Sequence, residues 1–201
     1  MAEINLKILL LAAGKSARMG KPKQLLPVAE TTLIELAIKT ALNAKVAGLY
    51  CVLGANYDKI REKISKYPVE IVENIAWEIG LGKSIAVGTS AVLKNEPETE
   101  GILILLSDQP GVDSLYLEKM ISTFEDRPGT IIVSDYSGFY GVPAIFPTAY
   151  FDQLQELNED NGAKELLNSG KLPIIAVKSP EKLGDIDTPA DYEQFLKSQN
   201  Q

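Results

Sequence analysis

Short apolar runs alternate with longer stretches in which apolar residues recur at helical spacing, almost from one end of the chain to the other. Continuous apolar runs suit strands buried on both faces, so this alternation predicts βα units and a largely parallel sheet. Strands are predicted over residues 7–12, 49–53, 69–72, 102–106, 130–133 and 174–177. Helices are predicted between and after them, over residues 58–65, 83–93, 114–124, 151–157, 163–167 and 189–197. The helix ending at Leu42 carries a start signal of its own. Thr32 with Glu35 three residues on reads as a capping box, and Leu33, Leu36, Ala37, Thr40 and Ala41 read as its apolar face. Residues 94–100 read as a surface loop, and no repeat or flexible linker divides the chain. The expectation is a single α/β domain over residues 1–201.

Composition changes this picture mainly by exclusion. Hydrophobic residues make up 45% and charged residues 23%, an ordinary globular balance, and no apolar run is long enough to cross a bilayer. The first residues lack the pattern of a secretory leader, which leaves the cytoplasm as the expected location. Cys51 lies in an apolar stretch and reads as a small buried hydrophobe. The chain has no histidine, so triads built on imidazole and His-ligated zinc are excluded. Carboxylate, lysine and arginine chemistry remains. A net charge of −7 argues against nucleic acid as a partner and for a small substrate.

The segment after the first strand, Leu11-Ala12-Ala13-Gly14-Lys15-Ser16-Ala17-Arg18-Met19-Gly20-Lys21-Pro22-Lys23-Gln24-Leu25-Leu26-Pro27, departs from that acidic background. Between Ile4 and Ala29 there is no acid, yet Lys7, Lys15, Arg18, Lys21 and Lys23 are present. Glycines that admit close backbone approach, with cations at a strand's carboxyl end, suit a polyphosphate; a solvated basic turn is the alternative. The commoner glycine motifs do not fit. A P-loop would need glycine at position 9, where Leu9 stands, and the dinucleotide fingerprint would need glycine at 16, where Ser16 stands.

This run resembles the N-terminal signature of the MobA-like nucleotidyltransferases, and within them that of the molybdenum cofactor cytidylyltransferases. The resemblance implies a Rossmann-like, doubly wound, mostly parallel sheet of the nucleotide-diphospho-sugar transferase type. It implies a loop, from Ala12 and Ala13 through Gly14, Lys15 and Ser16, that binds the nucleotide, with Arg18 and Lys23 stabilising the transition state. It further implies transfer of an NMP, CMP from CTP, to a phosphorylated small acceptor such as molybdopterin cofactor, with release of pyrophosphate. Mg²⁺ is the implied cofactor, and a molybdoenzyme or its chaperone the implied protein partner. A guanylyltransferase, a sugar-phosphate nucleotidyltransferase and a non-catalytic nucleotide-binding regulator are the rival readings on this scaffold.

Other segments extend the resemblance. The strand ending at Leu106 leads into Ser107-Asp108-Gln109-Pro110, and an acid at a strand's carboxyl end faces the ligand crevice of an open α/β sheet. Asp108 is thus a candidate metal ligand, with a helix cap or turn as the alternative. In Gly184-Asp185-Ile186-Asp187-Thr188-Pro189, Thr188 and Pro189 read as the start of a helix. Asp185 and Asp187 fall on one side of an extended segment, and the resemblance favours Asp187 as the second metal ligand. The segment from Asn74 to Ile85 resembles the family's second nucleotide loop, and Gly82 and Ser84 are chosen there over Trp77. The segments 141–146 and 160–164 resemble its acceptor side, with Val142 where the cytidylyltransferases carry a polar residue.

Overall fold

The computed structural model describes residues 4–44, 46–160, 162–170, 172–180 and 184–199. Leu6–Leu11 (β1) has all six residues buried, and its side chains divide by the two-residue period of a strand. Leu6, Ile8 and Leu10 enter one apolar layer, and Leu9 and Leu11 enter another on the opposite face. The chain continues through a small hairpin, Pro27–Val28 (β2) with Thr31–Thr32 (β3), into Leu33–Asn43 (α1) and Leu49–Leu53 (β4). Tyr57–Ile64 (α2), Glu70–Glu73 (β5), Leu81–Asn95 (α3) and Gly101–Leu106 (β6) follow. After them come Ser114–Asp126 (α4), Ile131–Asp135 (β7), Tyr140–Pro147 (β8) and Phe151–Glu156 (α5). Lys164–Leu167 (α6), Ile174–Lys178 (β9) and Pro189–Gln199 (α7) complete the described elements.

The main sheet has the order β5-β4-β1-β6-β8-β7-β9. Six of its seven strands run one way, and β8 alone runs against its neighbours β6 and β7. Residues of α1, α2 and α4 pack with Ile8, Leu10 and Cys51 on one face, while residues of α3, α5 and α6 pack with Leu9, Val52 and Ile104 on the other. Covering both faces explains why the central strands are uninterrupted apolar runs. Cys51 is fully buried, as expected, and burial pushes its thiol up to about 12.

Four features differ from the expectation. Residues 140–147, read from sequence only as an acceptor-side segment, form β8. Pro143 argues against a strand because it cannot donate to a ladder, but the β7–β8 register shifts between Val133 and Ser134, and Pro143 falls in that irregularity. The β2–β3 hairpin, two residues in each strand, is a second difference. In α1 the buried residues are Leu33, Ile34, Glu35, Ile38 and Ala41, not the Leu36–Ala37–Thr40 stripe. Two overlapping apolar stripes run along this helix, and the sheet selects the one through Ile34 and Ile38. Nor is Thr32 a capping side chain: its Oγ1 donates to Glu35 Oε2 (2.9 Å).

The loop after β1 and the turn after β6 leave the sheet side by side. From β1 the chain builds outward through β4 to β5, then crosses to β6 on the other side of β1. That reversal opens a crevice at the carboxyl ends of the strands.

Candidate functional site

The loop after β1 is held by its own residues. Gln24 is buried, and its Nε2 donates to the carbonyls of Ala12 (3.0 Å) and Gly14 (2.9 Å), tying the end of the loop to its start. Ser16 takes a left-handed conformation (φ 60°), and its Oγ accepts the Lys23 amide (3.1 Å). Gly20 is also left-handed (φ 65°), a conformation that costs glycine little. The loop thereby folds back so that Gly14, Lys15, Arg18 and Lys23 line a cleft of about 530 Å³ together with Asp108 and Asp187. Lys7 does not join them. It is buried in β1 and pairs with Glu96 (3.4 Å).

Lys23 is the centre of the charge arrangement. Its Nζ donates to Asp108 Oδ2 and to Asp187 Oδ1 (3.0 Å), and Arg18 Nη2 meets the other oxygen of Asp187 (2.8 Å). Burial opposes the Lys23 charge, but the two carboxylates outweigh it and hold the ammonium above its ordinary range. Asp108 follows β6 and is no helix cap: Asp113 caps α4, accepting the Tyr116 amide at 2.7 Å. Asp187 precedes α7, whose start is set by a reciprocal Thr188–Asp191 box. Asp191 Oδ2 accepts the Thr188 amide (2.7 Å), and the Asp191 amide reaches Thr188 Oγ1 (3.3 Å). Asp185 and Asp187 have different partners. Asp185 accepts from Gln109 Nε2 (2.9 Å), whereas Asp187 faces Lys23 and Arg18.

These residues fit a hard divalent cation. Among the described residues Asp108 Oδ1 is buried without a hydrogen-bond partner, and Asp187 accepts from the same ammonium. Among the described residues no group of three His, Cys, Asp or Glu is arranged to hold a metal. One or two carboxylates, with phosphate and water completing the shell, is the arrangement magnesium favours.

The second loop gives a mixed result. Ser84 is buried and lines the cleft, next to Ala13, Trp77 and Leu81. Gly82 does not line it. Its amide donates to Glu159 O (2.8 Å), and a Cβ there would lie 2.6 Å from that oxygen, so this glycine serves a close backbone crossing. Trp77, set aside in the sequence reading, packs against the α3-side core and lines the cleft. Gln24 lines the cleft as well, and Asp160, read as part of the acceptor-side segment, lines this cleft and not the neighbouring cavity. Gln24 belongs to the quoted run and so had a signal, whereas Asp160 is set at the cleft by close backbone approach to Gly80.

A second cavity of about 340 Å³ shares Leu11, Leu81, Leu106 and Asp185 with the first. Gly141, Val142 and Lys164 line it, so the two segments read as acceptor-side do converge; Asn161 lies outside the described residues. Tyr136 and Phe139 stack there (5.2 Å between centroids), and the Val142 carbonyl accepts from Tyr136 Oη.

Known proteins similar to this chain share its fold. Residues 8–174 match the MobA-like NTP transferase domain. The purine catabolism protein PucB of Bacillus subtilis is 31% identical over 94% of each chain. The molybdenum cofactor cytidylyltransferase of Escherichia coli is 25% identical over 92% of each. A crystal structure of Rv0371C from Mycobacterium tuberculosis in complex with manganese superimposes with a TM-score of 0.81 at 29% identity, covering 96% of this chain and 99% of that one. The fold is thus that of the nucleotide-diphospho-sugar transferase type, and the chain belongs to the MobA-like NTP transferase family.

Proposed function

We propose that the protein transfers CMP from CTP to the phosphate of molybdopterin cofactor, releasing pyrophosphate, with Mg²⁺ as cofactor. The observation that carries this reading is the meeting, in one cleft, of a basic loop with two acids, next to a cavity able to hold a second small molecule. The likeness to the E. coli cytidylyltransferase and the Ala12-Ala13-Gly14 opening of the loop support cytidylyl over guanylyl transfer.

A phosphate monoester with a second pKa near ~6 is largely ionised at neutral pH, so attack on the α-phosphorus needs no histidine. Asp108 and Asp187 would hold the cation, which when bound neutralises phosphate charge and orients the phosphate oxygens. Lys23 and Arg18 then exchange their carboxylate partners for phosphate oxygens and meet the charge that develops in the transition state. The backbone of Gly14 to Ser16 and Lys15 hold the departing pyrophosphate. A cytoplasmic setting, with a molybdoenzyme or its chaperone receiving the product, completes the reading.

Pyrophosphate release, measured with each nucleoside triphosphate in the presence and absence of reduced molybdopterin, tests it. CTP-dependent release that requires molybdopterin is the expected result. Release with GTP alone would overturn the cytidylyl assignment, and release with a sugar phosphate in place of molybdopterin would overturn the acceptor.

A further inference from the structure

Asn74 follows β5, is 1% exposed and reaches the cleft only through its neighbour Ser84. Its side-chain orientation is determined by its partners. Oδ1 accepts the Ala76 amide (3.0 Å), which only the oxygen can do, so Nδ2 is the atom that donates to Ser84 Oγ (3.0 Å). The Ser84 hydroxyl is therefore used as an acceptor, and its own proton must find a lone pair elsewhere. Among the described residues none accepts it. Ser84 is 3% exposed and lines the cleft, and a buried donor without an acceptor is costly unless a ligand completes it.

We propose that Asn74 is a specificity-determining positioning residue: it locks Ser84 as a hydrogen-bond donor to the nucleobase, so the base edge must present a lone pair there. The inference rests on the reading of the cleft as a nucleoside triphosphate site. It places the hydroxyl against the ring nitrogen, since the O2 carbonyl is an acceptor in both pyrimidines and would not tell them apart. Cytosine and uracil have nearly the same size, but N3 of cytosine carries a lone pair and N3 of uracil carries a proton. Ser84 as a donor matches the first and opposes the second.

Asn74→Asp reverses the polarity at almost constant shape. The carboxylate still accepts the Ala76 amide, but it now also accepts the Ser84 proton, leaving Ser84 with only lone pairs for the cleft. Binding of CTP and UTP in the presence of Mg²⁺, measured by calorimetry, tests this without any acceptor substrate. The wild type should favour CTP by about tenfold or more, and Asn74→Asp should move the ratio toward UTP by about tenfold. Ser84→Ala adds no buried charge, so it decides the matter should Asn74→Asp not fold; it should lose most of the preference. Adding Asn74→Asp to Ser84→Ala should change the ratio by less than about twofold, because the effect travels through the hydroxyl. An unchanged CTP/UTP ratio in Ser84→Ala, or a wild type that binds the two alike, overturns the proposal while leaving the triphosphate site intact. A wild type that binds no nucleoside triphosphate overturns both.

Discussion

Lys23 touches both acids of the site, and that double contact separates its roles in binding and in stability. Lys23→Ala should lower turnover by at least ~100-fold, the scale for losing a preorganised electrostatic donor. The same substitution leaves Asp108 largely buried beside Asp185 and Asp187 with no cation, so the ligand-free variant should also lose roughly 1–3 kcal/mol of stability. Added Mg²⁺ or Mn²⁺ should raise the melting temperature of the variant more than that of the wild type, since the ion takes the place of the ammonium. Equal shifts in both proteins would remove the aspartates as metal ligands. Glu35 gives a second test at this scale, away from the site. It is 2% exposed, and although burial opposes its charge, Lys66, Thr32, Lys63 and Tyr67 together hold its carboxyl down to about 2. A folded-state pKa below the unfolded one stabilises above the unfolded value, so this contribution should be present at pH 5 and lost as pH falls from about 4.5 toward 2. Glu35→Gln should flatten that part of a stability–pH curve and cost roughly 1–3 kcal/mol at neutral pH.

At the scale of elements, the site depends on segments meeting at close range. The start of α3 crosses the chain at Asn158 and Glu159 with only a hydrogen atom at Gly82 between them, and Asp160 follows directly into the cleft. Gly82→Ala should cost roughly 1–3 kcal/mol, because the neighbour it meets is backbone and cannot rotate away. It should weaken nucleotide binding as well, since the displaced segment carries part of the lining. A variant with lowered melting temperature but unaltered nucleotide affinity would show that the crossing serves stability alone. The loop after β1 is held differently, by the hydrogen bonds of Gln24 and Ser16 together with the packing of Met19 and Leu26 against Leu33 and Ile186.

Across the whole molecule, the two adjoining cavities have unlike walls: charged and polar around the loop, aromatic and aliphatic around Phe139 and Leu167. A triphosphate in the first and a flat, partly apolar acceptor in the second is the division they suit. Ala13 is buried at the wall of the first cavity, where its methyl group narrows the space left for a base. CTP should therefore be preferred over GTP by roughly 10–200-fold in kcat/KM, the range for a steric mismatch of about 1–3 kcal/mol. Ala13→Gly should shift that ratio toward GTP, and competition between the two nucleotides for one acceptor measures it. The class of fold was legible before any coordinate, because period and run length are local properties of the chain: residues 49–53 and 114–124 needed nothing beyond their own pattern. The basic loop was legible for the same reason, as twenty-odd consecutive residues with no acid. What the chain could not reveal by itself were choices among locally equal alternatives. Both stripes of α1 are apolar, and the sheet decides which is buried. Pro143 forbids a regular strand, and the register shift against β7 permits an irregular one. Gly82 and Ser84 are two residues apart, yet one meets a backbone 77 positions later and the other the cleft. Asp108, Asp187 and Lys23 come from three distant segments, and only tertiary structure could place one ammonium between two carboxylates, because hydrogen-bond geometry over such separations depends on how the elements pack.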